Sequence, residues 1–173
     1  FLIHGLALIG VRAVLGVESE RGSPFNIQRS LHVPNLTKEE TFELFSGKLE
    51  DNNEFVRMSV ALGIGEIQPC NQKQSTQILM SLLKDKNLDV RSNAIRSLGW
   101  VGPGAMVAVP ELLKYLKAEN ETIRVFTVIA LGEIAFKEKY ANTVKNELMA
   151  IQKNDKSRRV RTEAKKSLKK FSK

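Results

Sequence analysis

Carboxylates, two histidines and one thiol are the side chains of this 173-residue sequence that could carry chemistry. The histidines are His4 and His32 and the thiol is Cys70, too little for an internal disulfide, a cysteine-based structural zinc site or a histidine-based triad. His32 stands beside no Ser or Cys motif, and His4 reads as a packing residue of a helix. Cys70 follows Pro69 at a turn with no base placed beside it, so it would be redox-active only if exposed. No glycine-rich loop precedes a helix to cradle phosphate. The expectation is a chain without a catalytic centre, metal or cofactor.

Charge is the next candidate. The chain has 27 Lys+Arg against 19 Asp+Glu, a net charge of +8. Residues 137–173 carry 13 basic and 4 acidic residues, whereas residues 1–136 carry 14 and 15. The basic surplus therefore belongs to one end. There Arg158, Arg159, Lys165, Lys166, Lys169 and Lys170 offer salt-sensitive contacts to a polyanion, either an acidic protein or nucleic acid. The competing reading is a solvated helix face. Phe171 is the one aromatic among these charges, which weighs against stacking of single-stranded bases.

These residues must be positioned by something, and the sequence repeats itself. Val56-Arg57 recurs as Val90-Arg91, Ile123-Arg124 and Val160-Arg161, at spacings of 34, 33 and 37 residues. Counted from each Arg, position +3 holds Val60, Ala94, Thr127 and Ala164, and position +7 holds Ile64, Leu98, Leu131 and Leu168. Position +8 is Gly65, Gly99 and Gly132, then Lys169; position +10 is Ile67, Val101, Ile134 and Phe171. Asp51, Asp85 and Asp155 stand at −6, with Ala118 in the third unit, and Asn53, Asn87, Asn120 and Ser157 at −4. An amphipathic segment precedes each of these helices, over residues 39–49, 74–84, 107–117 and 143–152. Thr37 with Glu40 forms a capping box before the first, and Pro110 suits the first turn of the third. No period-2 alternation is sustained, so no strand is expected. Glu66 and Glu133 share a repeat position but lie two repeats apart, too far for a coupled acid/base pair.

The segment Asp-Val-Arg-Ser-Asn-Ala-Ile-Arg-Ser-Leu-Gly-Trp-Val-Gly-Pro-Gly-Ala at 89–105, followed by Val109-Pro110-Glu111-Leu112-Leu113, resembles the HEAT repeat. It is similar in particular to the short HEAT-like units of phycobilisome bilin lyases. The resemblance implies an all-α fold, a right-handed α-solenoid of helix-turn-helix repeats. Residues 37–173 would form four repeats ending in a basic capping helix. Residues 1–16 would be the second helix of a truncated unit and 17–36 a long inter-repeat loop. The opening 17 residues are interrupted by His4 and Arg12, so they match neither a membrane span of about 20 apolar residues nor a secretory signal. A partner for that first helix is expected upstream, in a missing part of the same chain.

Stacked units of this kind bury one continuous core. The repeated Arg and Asp are expected to form a ladder across the turns, with Arg donating to carboxylates and loop carbonyls. In HEAT arrays the second helices line the concave face, so the resemblance places a groove along positions +1, +5 and +9. On that face lie Met58, Leu62 and Glu66, then Arg96 and Trp100, then Val125, Ile129 and Glu133. Apolar residues, an exposed Trp and mixed charge suit a protein partner, with Trp100 as anchor and Arg96, Glu66 and Glu133 setting register. The competing reading packs Leu62 and Ile129 against neighbouring helices. HEAT-like DNA glycosylases hold DNA on such arrays, so nucleic-acid or other polyanion binding through the basic C-terminal helix is the first alternative, and a bilin-lyase-like subunit is the second.

Overall fold

A computed structural model describes residues 37–67, 72–136 and 139–172. The helix expected over 1–16, the loop over 17–36, His4, His32 and Cys70 lie outside them. Eight α-helices follow one another among the described residues: α1 (Lys38–Ser46), α2 (Glu54–Glu66), α3 (Gln72–Leu82), α4 (Leu88–Val101), α5 (Val109–Tyr115), α6 (Glu121–Ile134), α7 (Ala141–Asn154) and α8 (Arg158–Leu168). No strand occurs among these residues. The helices pair as α1/α2, α3/α4, α5/α6 and α7/α8, and each second helix packs on the second helices before and after it. One apolar core runs through all four pairs, with Ile64, Leu98, Leu131 and Val160 at its centre.

Local chemistry sets the helix ends. Thr37 Oγ1 accepts from the Glu40 amide at 3.1 Å and Glu40 returns a carboxylate to the Thr37 amide at 2.8 Å, completing the capping box. The residues at −4 are the N-caps of the second helices. Asn53 accepts from the Phe55 amide at 2.9 Å, Asn87 from Asp89 at 2.8 Å, Asn120 from Ile123 at 3.1 Å and Ser157 from Arg159 at 3.1 Å. The third repeat departs from the expected helix over 107–117. Gly102, at φ +67°, ends α4 in a backbone conformation that L side chains rarely adopt. A 3-10 segment over Gly102–Ala108 then carries the chain to a short α5 with Pro110 in its first turn.

Two devices join the repeats. The first is a seam of small residues between consecutive second helices. A Cβ built on Gly65 would stand 2.5 Å from Ser97 Cβ, one on Gly99 3.0 Å from Ala130 Cα, and one on Gly132 2.6 Å from Ser167 Cβ. The second is the Arg–Asp ladder. Arg57 Nε and Nη2 hold Asp85 at 2.6 and 3.0 Å, while Nη1 donates to the Asp51 carbonyl at 2.6 Å. Arg124 holds Asp155 in the same fork at 2.8 and 3.2 Å. Each Asp also accepts from the amide two residues on, at 2.8 Å from Asn87 or Ser157, which closes the turn.

The seam predicts opposite signs for two Gly→Ala substitutions. In Gly65→Ala the new methyl meets Ser97 near the backbone. The cost of overpacking, about 1–3 kcal/mol, outweighs the helix-propensity gain of about 1 kcal/mol. Gly47 has 3.7 Å of clearance and a right-handed φ of −71°, so Gly47→Ala is expected to be neutral or stabilising by about 0.4–1 kcal/mol. Urea unfolding of both variants checks the pair. The ladder predicts an acid limb. The Arg57 hydrogen bonds hold the Asp85 carboxyl below its ordinary value of 3.8, against the opposing effect of burial. A depressed folded pKa adds stability that is complete above the unfolded value and is lost as pH falls through the folded one. Chemical denaturation from pH 6 down to pH 2, about four units of the scale, is expected to show a steeper loss for the wild type than for Asp85→Asn.

Candidate interaction surface

The seam decides which side of each second helix stays open. Position +1 lies seven residues before the glycine at +8, only about 20° away on the helical wheel. It therefore faces the next helix rather than the groove. Val125 is 2% exposed and Ser92 5%. Met58 is half-buried against the core. Val125, expected on the partner-binding face, is thus a residue of the helix–helix seam and unavailable to a partner. A helical wheel sets the side opposite the core against solvent and makes no allowance for a lateral neighbour.

Positions +2, +5 and +9 form the open stripe. Ser59, Leu62 and Glu66 supply it on α2, and Asn93, Arg96 and Trp100 on α4. Phe126, Ile129 and Glu133 continue it on α6, and Glu163, Lys166 and Lys170 on the last helix and the short 3-10 turn after it. Leu62 and Ile129 are half-buried, and Ile129 packs against the core. Glu66 and Arg96 are exposed, and Trp100 is 42% exposed. The Arg96 guanidinium lies 4.5 Å from the Trp100 ring centre and 5.9 Å from that of Phe126. Sequence reasoning missed Phe126. The signal that could have found it is its place at +2, one turn from the +5 position and two turns from the +9 position of the same stripe.

Charges along this stripe balance within the fold. Lys170 pairs with Glu133, and Lys166 with Glu163 at 2.7 Å. Glu133 and Lys170 therefore satisfy one another, and Lys166 is satisfied by Glu163. Arg96 is held over the aromatic ring, a contact of about 0.5–1 kcal/mol at an exposed site. Of the six basic residues singled out in the sequence, Arg158, Arg159, Lys165 and Lys169 are exposed without an ion-pair partner among the described residues. Arg158, Lys165 and Lys169 recur at helical spacing, on a stripe of their own beside the paired one. No cluster of three or more His, Cys, Asp or Glu able to hold a metal is present among the described residues, and no described helix is long and apolar enough to cross a membrane.

Trp100 is the one tryptophan of the chain, which makes this geometry measurable. A cation at 4.5 Å concentrates anions at the ring. Iodide is expected to quench its fluorescence more strongly than caesium, and Arg96→Gln to remove that preference while caesium quenching rises.

Comparison with known proteins agrees with this geometry. A family model described as HEAT repeats matches residues 43–109 and 76–169, well over half of the chain. An engineered protein of known crystal structure superposes with a TM-score of 0.60 at 18% identity, over 76% of this chain and 62% of the other. A designed armadillo repeat protein superposes with a TM-score of 0.57 at 19% identity, over 75% and 64%. The chain thus spans a little under two thirds of either structure's length, and at such identities the likeness concerns the fold alone. A search of curated proteins finds no match. These matches support HEAT and armadillo-like repeats and do not confirm the bilin-lyase type in particular. The fold is an all-α helical solenoid of a kind that commonly serves as an interaction scaffold, and the chain belongs to the HEAT-repeat family.

Proposed function

We propose that this chain is a non-catalytic scaffold that holds a protein segment along the open stripe of its second helices. The observation that carries the reading is Trp100. It is a large aromatic 42% exposed at mid-array, oriented by Arg96 and flanked by Phe126, on a stripe whose other cations are already paired. A phosphate backbone would need free cations there. Leu62, Trp100, Phe126 and Ile129 instead present apolar area in a row, with Glu66 and Arg96 exposed between them. That composition suits an amphipathic helix or extended peptide anchored on an aromatic centre.

Photo-crosslinking tests the reading. A benzoylphenylalanine at Trp100 should capture a protein partner that the same probe at exposed Val107 does not, since Val107 lies on the 3-10 segment away from the stripe. Trp100→Ala should then weaken binding of the purified partner by about tenfold or more, equivalent to at least about 1.4 kcal/mol. Loss of affinity at high salt should be slight. Capture at Val107 alone, or unchanged affinity for Trp100→Ala, would overturn the assignment.

A second reading keeps the unpaired stripe of α8. Arg158, Arg159, Lys165 and Lys169 could hold an acidic protein or nucleic acid through screened contacts. It predicts an affinity that falls steeply with salt, with a slope reduced by the Lys165→Glu/Lys169→Glu double variant and untouched by Trp100→Ala. The bilin-lyase alternative gains no support from the geometry described above.

A further inference from the structure

The Arg–Asp ladder has an open rung. Arg57 and Arg124 each use Nη1 on the carbonyls of their own turn and the Nε/Nη2 edge on an aspartate of the following repeat. Arg91 makes only the first half, donating Nη1 to the Asp85 carbonyl at 2.6 Å and to the Lys86 carbonyl at 3.1 Å; Arg161 of the last repeat does likewise to the Asp155 carbonyl at 2.6 Å, but no further repeat follows it among the described residues. The position that should supply its carboxylate is Ala118. The consequence is visible in exposure: Arg57 and Arg124 are 5% and 4% exposed, while Arg91 is half-buried and reachable. No carboxylate among the described residues takes the vacant edge, since nearby Glu111 pairs with Lys114 at 2.6 Å. Tyr115 lies close to Arg91 and donates its hydroxyl to the Leu83 carbonyl at 2.7 Å, so it brings no negative charge.

A half-buried guanidinium fixed by two carbonyls, its Nε/Nη2 edge without a carboxylate, is a preorganised carboxylate receptor. The two completed rungs show the geometry of its natural ligand. In each, an aspartate in an Asx turn accepts from the amide two residues on and presents both oxygens to the fork. We propose that the Nε/Nη2 edge of Arg91 is a docking site for an aspartate of a protein partner, which completes the ladder from outside. The site lies on the turn side of the array, separate from the Trp100 stripe, and stands or falls independently of it.

The test is a side-chain NMR titration of the full chain, following the arginine Nε–H resonances. The probe is the acetylated, amidated hexapeptide Leu-Lys-Asp-Lys-Asn-Leu, the sequence of the turn at 83–88. The Arg91 resonance should shift saturably while those of Arg57 and Arg124 stay in place. The same peptide with Asn for Asp should leave Arg91 unmoved, and acetate at equal concentration should titrate it more weakly. Ala118→Asp should fill the rung internally and weaken peptide binding by about tenfold or more. An unmoved Arg91, equal response to the Asn peptide, equal response to acetate, or undiminished binding by a folded Ala118→Asp variant would each overturn the proposal. If that variant does not fold, the wild-type comparison of Asp and Asn peptides decides alone.

Discussion

Everything in this array depends on how closely successive second helices approach. Gly65 meets Ser97 and Gly132 meets Ser167 with no space for a further carbon atom, and Gly99 meets Ala130 almost as tightly, at 3.0 Å from an added Cβ. Interiors pack at crystal-like density, so these contacts leave the helices little freedom to slide or rotate. The pitch that results brings Asp85 and Asp155 of the −6 position within reach of the arginine one repeat earlier. Had the seam been a methyl group wider, the bidentate geometry at 2.6–3.0 Å between Arg57 and Asp85 would not close. The ladder is therefore a consequence of the seam as well as a lock upon it. Its charges are buried, and a buried ion pair is strongly destabilising only when one partner is removed. That asymmetry explains how Arg91 persists without a carboxylate. Arg91 as a whole is half-buried where Arg57 and Arg124 are buried, so the missing partner leaves no fully desolvated residue.

The same seam assigns the surfaces. Once +8 is closed by the following helix, +1 is closed with it, and +2, +5 and +9 become the side that faces away from both core and neighbour. On that side the array places aromatic and aliphatic residues in its middle and internally paired charges toward α8. On the turn side it places the guanidinium ladder. An array with two chemically different faces follows from one geometric contact repeated three times.

Much of this was legible in the sequence. The recurrence of Val-Arg, the glycine at +8 and the apolar positions at −1, +3, +7 and +10 pointed to stacked helix pairs, because those types are demanded by packing alone. The ladder was legible too, since a repeated Arg beside a repeated Asp has few other uses. Val125 was misplaced because a wheel drawn for one helix opposes core to solvent, whereas a helix in an array has flanks as well. Ser97, Ala130 and Ser167 at +6 escaped notice for the same reason: as partners of glycines in another repeat they have no signature in their own. Phe126 was overlooked with the +2 position. The pairing of Lys170 with Glu133 joins separate helices, so a charge count along the chain could not separate it from the free cations Arg158, Lys165 and Lys169. Residues that pack on their own repeat unit leave a periodic trace; those that answer to the neighbouring unit do not.

The claim that the seam decides which face is open can be measured directly on α6. Single cysteines would be placed at Val125, Ile129, Gly132 and Glu133 in a Cys70→Ser background, and their rates of thiol alkylation compared under native conditions. Fast labelling at 129 and 133 with strong protection at 125, and at 132 in whatever fraction remains folded, is the pattern this account predicts. Labelling at 125 as rapid as at 129 would mean that the second helices are turned differently, and would contradict both the seam and the stripe drawn from it.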